Sequence, residues 1–201
     1  MKKLCAVCLL GVALAVTGAF AQEKEKLHPD GWGLGAQFGF DLNPFSGGGA
    51  GGGGAFSLKA PALPIYWTFR LSFGGNRGAG GWSHFGFGVS GDYYFIDQAI
   101  VPDIGLGWYL GGGAFVGYWS EKYHRWNSYD TDWSYALLQI GGELPIGIYW
   151  MIPIPVKLEL YLQAVPNIGV QFAVGGNKDY YDDGLFWFSI GGNIGVRIWL
   201  G

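Results

Sequence analysis

From residue 32 onward the chain alternates between apolar and polar positions. Trp32, Leu34, Ala36, Phe38, Phe40 and Leu42 share one phase, and Gly33, Gly35, Gln37, Gly39 and Asp41 share the other. Successive side chains of a strand point to opposite faces, so the segment predicts an amphipathic β-strand. The pattern recurs. Phe56, Leu58, Ala60 and Ala62 mark a second strand after a glycine-rich loop over 43–55. Ile65, Trp67, Phe69, Leu71 and Phe73 mark a third, and Phe85, Phe87, Val89 and Tyr93 a fourth, after which residues 97–103 read as a turn. A fifth, over 104–118, carries Leu106, Trp108, Leu110, Ala114 and Val116. Phe115 breaks its phase and suggests a bulge near Gly111, Gly112 and Gly113. The sixth holds Leu138, Ile140, Leu144, Ile146, Ile148 and Trp150; the seventh holds Val156, Leu158, Leu160, Leu162, Ala164, Ile168, Val170 and Phe172. The last holds Phe186, Phe188, Ile190, Ile194, Val196, Ile198 and Leu200.

No segment has a helical period long enough for a crossover helix, so the eight strands form an antiparallel up-and-down meander. Their connections differ in character. The first, third, fifth and seventh are long and glycine-rich or charged, whereas the second, fourth and sixth are short and contain Pro. An even strand count with short turns on one side and long loops on the other predicts an all-β, eight-stranded transmembrane barrel. Both chain ends then face the periplasm and four loops face outward.

Which face is the inside follows from the polar phase. Only 13% of the chain is charged and 18% is aromatic, whereas a soluble domain carries about 25% charged residues. The polar phase is mostly Gly, Ser, Thr, Asn, Gln and Tyr. The strand charges on it are Asp41, Lys59, Arg70, Asp92, Glu143, Lys157, Glu159 and Arg197, four cations against four anions. A solvated face would be richer in Lys and Glu; balance is what a closed interior demands. Trp32, Trp67, Tyr93, Phe95 and Trp150 cluster toward the short-turn end of the apolar phase, as an interfacial girdle would. The apolar phase is therefore expected to face lipid, and the charges the lumen. Lys59, Arg70, Asp92, Glu143, Lys157, Glu159 and Arg197 are expected to form one ion-pair network plugging it. Strand direction places Arg70 and Glu143 near the middle and the others in the periplasmic half.

The N-terminus has the form of an export signal. Lys2 and Lys3 precede an apolar run from Leu4 to Val16, and Ala19-Phe20-Ala21 offers a cleavage site. Residues 1–21 are expected to be removed, leaving residues 22–201 as the barrel domain. Cys5 and Cys8 would leave with the signal, so no thiol chemistry is expected. The formal net charge is −3, and losing two lysines makes it more acidic, which argues against a nucleic-acid partner.

The last strand reads Asn193-Ile194-Gly195-Val196-Arg197-Ile198-Trp199-Leu200. A polar residue, a glycine two positions on and alternate apolar residues to the end resemble the terminal signal read by the barrel-assembly machinery, with Asn193, Gly195, Ile198 and Leu200 as its positions. With the strand number, the alternation and the loop asymmetry, this resembles small outer-membrane barrels of the OmpA transmembrane-domain and OmpX kind. The resemblance covers about residues 32–200 and implies a bacterial outer-membrane location, with lipid and the assembly machinery as partners. The sequence stops one residue past the last strand, so a peptidoglycan-binding domain and its anchoring role are not expected.

Catalytic, cofactor and metal sites are not expected. Gly47–Gly54 lacks the Lys-Ser/Thr and helix of a phosphate loop. His28, His84 and His124 have no metal spacing. Ser83, His84, Glu121 and His124 offer the residue types of a hydrolytic triad without a supporting motif. Asp179, Asp182 and Asp183 lack EF-hand spacing. Tyr123, Arg125 and Trp126 mix cations and aromatics in an outer loop and are the candidates for contact with an extracellular ligand of unknown identity. The sequence thus predicts a structural or surface-interaction protein with a plugged lumen; a narrow channel, a lipid-modifying enzyme and a soluble ligand-binding barrel are the alternatives.

Overall fold

The computed structural model describes residues 26–42, 50–76, 81–124, 133–176 and 185–201. They form β1 (Trp32–Leu42), β2 (Ala50–Lys59), β3 (Ile65–Asn76), β4 (Gly81–Val101), β5 (Leu106–His124), β6 (Trp133–Glu143), β7 (Ile146–Ile152), β8 (Lys157–Gly176) and β9 (Leu185–Leu200). Every pairing is antiparallel, and β1 closes the ring by pairing with both β2 and β9. β6 and β7 both lie between β5 and β8, so they are two halves of one wall position and the ring has eight. Closure leaves no edge strand, the condition for a sheet to sit in lipid with its backbone satisfied.

Burial follows the alternation, inverted relative to a soluble protein. The outward phase keeps large apolar side chains exposed, Phe38 at 61% and Ile194 at 62%, while Glu159 and Arg197 on the inward phase are 0% and 3% exposed. Trp32, Tyr93 and Trp150 stand on the outside near the short-turn end, and the Trp150 indole donates to the Ile104 carbonyl at 2.8 Å. The β4–β5 turn is a single 3₁₀ turn, Pro102–Ile104, stopped by Gly105 at φ 73°. A side chain at Gly105 would strike the Met151 carbonyl besides straining the backbone.

Several strand limits differ from those expected. β2 starts at Ala50, so Gly51 to Gly54 pair with β1 instead of forming a loop, with Gly52 and Gly54 opposite Phe40 and Phe38. β4 runs through residues 97–101, read from the sequence as a turn. The phase break is in β4 and not in β5. The register slips between Tyr94 and Ile96, leaving Phe95 as the extra residue. Upstream the even positions, Ser90, Asp92 and Tyr94, face inward; downstream Asp97 does. Phe115 is in phase with β5's inward residues and packs edge-on against Trp187, with ring centroids 5.5 Å apart. The sixth wall strand breaks at Leu144-Pro145, because Pro145 has no N–H for the ladder. The gap is stitched by Leu144 N–H to the Pro166 carbonyl, 3.0 Å, and Gly111 N–H to the Pro145 carbonyl, 2.8 Å.

Candidate functional site

The lumen is the only place where this fold concentrates polar chemistry among the described residues, and it is filled in layers. The layer nearest the chain termini is aromatic. Tyr109 faces Gly147 across the β5–β7 ladder, Tyr149 faces Gly107 on the same ladder, and Tyr161 faces Gly195 across β8–β9. Each ring lies over its glycine so closely that a Cβ there would come within 2.5 Å of the tyrosine hydroxyl oxygen. Glycine on the inward phase is thus what lets large rings lie flat inside a narrow barrel. Tyr94 stacks between Tyr66 (3.9 Å) and Tyr109 (4.2 Å). The hydroxyls are engaged: Tyr109 donates to Gln163 and Tyr161 to Gln37, both at 2.6 Å, and Tyr149 donates to Asp97 at 2.8 Å.

Within this layer sits a charged cluster. Arg197 Nη1 donates to both Glu159 carboxylate oxygens at 2.9 Å, and the Trp199 indole donates to Glu159 Oε2 at 2.8 Å. The guanidinium also lies 4.9 Å from the Tyr161 ring centre and 5.0 Å from that of Tyr66. His28 completes the cluster. It precedes β1, yet its side chain is fully buried in the mouth of the barrel. Nδ1 lies 2.9 Å from Asp97 Oδ2 and Nε2 3.3 Å from Glu159 Oε1, as charge contacts lacking hydrogen-bond alignment. Its ring packs on Tyr149 at 4.0 Å and Trp199 at 5.4 Å. Burial alone would lower the pKa of His28. The Glu159 charge and the contacts to Asp97 and Glu159 outweigh burial, and the pKa is raised above its ordinary 6.5.

A second cluster lies at mid-lumen. Arg70 Nη2 donates to both oxygens of Glu143, at 2.8 and 2.7 Å, and to Ser90 Oγ at 3.1 Å. Asp92 lies beside Glu143, so Arg70 faces two acids. Above it is a cavity of about 120 Å³ walled by Phe115, Trp119 and Trp187, with Gln139 and Asn167 on its rim. Farther out, Tyr135 donates to Glu121 and His84 stacks on Trp119 at 4.5 Å.

The seven residues expected to form one network therefore divide. Glu159 with Arg197, and Arg70 with Glu143 and Asp92, are two separate clusters. Lys59 is buried but makes no ion pair among the described residues; its ammonium donates to the Ala60 carbonyl at 2.8 Å and lies 5.9 Å from the Tyr66 ring centre. Lys157 is exposed, because it is the first residue of β8 and lies at the rim, where its amine reaches solvent. Of the terminal-strand residues, Ile198 and Leu200 face outward, Asn193 pairs with Gly39 and Gln163, and Gly195 accepts the Tyr161 ring. Tyr123 is in β5 opposite Trp82 and Trp133, not in a loop; Arg125 and Trp126 lie outside the described residues. Ser83 is exposed and His84 buried, since neighbouring strand residues point to opposite faces, so the two do not form a dyad. Sequence reasoning missed His28 and Asp97. The tyrosines on the polar phase were the available signal for the inner layer.

No family model and no curated protein matches the chain. Among solved structures, it is similar to the crystal structure of Neisserial surface protein A (NspA). The TM-score is 0.53 and the identity 16%, over 84% of this chain and 97% of that one. A major outer membrane protein from Thermus thermophilus matches at 12% identity and TM-score 0.38, over 84% of this chain and 100% of that one. Ail, the attachment invasion locus protein of Yersinia pestis, matches at 11% and 0.42, over 84% and 97%. The likeness to NspA shows the fold, that of a small outer-membrane β-barrel.

Proposed function

We propose that this protein is an integral outer-membrane barrel with a structural or surface-interaction role and a lumen closed to solute flow. The observation that carries this reading is the pair of charge clusters stacked inside one narrow ring. Arg197 and Glu159 are buried among tyrosines at the inner end, and Arg70 clamps Glu143 across the middle. An eight-stranded barrel is just wide enough for side chains to fill. The cavity above Arg70 ends on that clamp, so it supports no through-channel. The apolar exterior supports placement in lipid, and the terminal strand supports delivery by the barrel-assembly machinery. Tyr123 at the outer end of β5, and the segment after it with Arg125 and Trp126, are the surface this reading offers to an extracellular partner. Catalysis forms no part of this reading.

The test combines conductance with topology. The purified protein in planar bilayers should give no porin-sized steps, and a cysteine at Arg125 should be labelled by an impermeant reagent on intact cells. Stable porin-sized conductance would make a channel the better function. Labelling only after the periplasm is opened would reverse the orientation.

A further inference from the structure

The lumen is closed at its inner end by a segment that belongs to no strand. Residues 26–31 precede β1, and two side chains hold them in the mouth: Leu27, packed against the buried aromatic cluster, and His28. The Leu27 backbone also hydrogen-bonds with Tyr149, and Gly31 lies against the Leu200 carbonyl at the end of β9. Lys26 to Asp30 at 3.4 Å is an exposed pair worth little. His28 supplies the buried charge that ties the segment to the lumen.

The groups facing His28 come from six strands. They are Tyr66 of β3, Tyr94 and Asp97 of β4, Tyr109 of β5, Tyr149 of β7, Glu159 of β8, and Arg197 and Trp199 of β9. Lys59 of β2 stands behind Tyr66. The phenols stay neutral below about pH 10. The charges linked directly to the imidazole or to its partners are two anions, Asp97 and Glu159, and one fixed cation, Arg197; the Lys59 ammonium stands outside that set, on the Ala60 carbonyl. With His28 protonated the buried set is neutral. With His28 neutral it carries one uncompensated negative charge in a space without bulk water, which is costly.

We propose that His28 is a pH-operated latch: its imidazolium form holds residues 26–30 in the barrel mouth, and loss of that proton releases them. The proposal does not depend on the surface role given above. Its sign follows from the charge balance and from the raised pKa. Because the seated histidine binds its proton more tightly than a free one, the latch is fully engaged below the ordinary value of 6.5. It weakens as pH rises from there through the seated value. Release exposes the tyrosine layer and the Glu159–Arg197 pair to periplasmic water, while the Arg70–Glu143 clamp still closes the lumen above.

The test is a nitroxide label on a cysteine replacing Lys26, which is exposed, in the purified protein with Cys5 and Cys8 replaced by Ala. Its electron paramagnetic resonance line shape is followed from pH 5 to 9 in detergent micelles. The label should be immobile at pH 5–6 and gain a mobile component with a midpoint above 6.5. Asp97→Asn should move that midpoint down by about one pH unit, a tenfold change in the latch equilibrium. His28→Gln should leave a line shape that does not respond to pH. A label on a cysteine replacing Ile140 on the outer wall should not change, which separates latch release from unfolding. A Lys26 label that stays immobile throughout, or a transition that survives His28→Gln, overturns the proposal. If His28→Gln does not fold, an unshifted midpoint in Asp97→Asn overturns it equally.

Discussion

Charge neutrality in the inner cluster predicts an unusual order of stabilities when Glu159 and Arg197 are changed singly and together. At pH 6, His28⁺, Arg197⁺, Asp97⁻ and Glu159⁻ cancel. Glu159→Gln leaves one excess positive charge, because Arg197 and His28 then share only Asp97. Arg197→Gln leaves one excess negative charge. The double change leaves His28⁺ with Asp97⁻, a balanced pair already 2.9 Å apart. Removing one partner of a buried ion pair costs about 3–5 kcal/mol. In Glu159→Gln the guanidinium keeps the faces of Tyr66 and Tyr161 at 5.0 and 4.9 Å, each worth roughly 0.5–2 kcal/mol. The expected loss is therefore at the lower end, about 3 kcal/mol. In Arg197→Gln the carboxylate keeps the Trp199 indole at 2.8 Å and His28 at 3.3 Å, so the loss is of similar size. The double variant should lose only about 1 kcal/mol, since paired removal of a buried ion pair is often nearly neutral. The measurement is urea unfolding of the purified barrel in micelles, read by tryptophan fluorescence and by the gel mobility of unboiled samples. A double variant as unstable as the sum of the singles would refute the reasoning, because it would mean the two side chains do not share one charge balance.

Two further outcomes test the wall and its packing. Ile194→Arg, placed at a site 62% exposed to lipid, should cost roughly 2–4 kcal/mol in the same unfolding measurement, whereas an unchanged midpoint would turn that face toward water. Gly195→Ala should cost about 1–3 kcal/mol because its methyl displaces the Tyr161 ring; in a Tyr161→Ala background the same change should cost little, and an equal cost in both backgrounds would remove packing as the reason for glycine there.

The wall was legible because a period of two survives in a barrel whose two solvents, lipid and lumen, differ sharply. Strand number, closure, the inverted faces and the inward positions of Arg70, Glu143, Glu159 and Arg197 followed from it. Pairing did not, since which charges meet depends on stagger around the ring and not on phase along one strand. Lys157 shares its phase with Glu159, yet it opens its strand, where solvent competes with any partner. His28 was illegible for a different reason. It belongs to no alternating segment, and nothing local to Leu27-His28-Pro29 says that a ring of tyrosines awaits it. Asp97 was read as part of a turn because the bulge moved it into phase with the lumen only after one uncounted residue. The glycine tract looked like a loop because glycine has no side chain to register a phase.

Phe95 acts on the wall as a frameshift acts on a reading frame. Before it the even-numbered residues of β4 face the lumen, and after it Asp97 does. Deleting Phe95 would remove only the bulge, since Tyr94, Ile96 and Asp97 would then follow one another opposite Gly111, Leu110 and Tyr109. Asp97 faces the lumen because the bulge absorbs the extra residue. Were the ladder to run regularly through Phe95, Asp97 would be presented to hydrocarbon and His28 would lose one of its two anions. The inner closure of the barrel thus depends on an irregularity of one strand, which sets the direction of Asp97 without changing any amino acid.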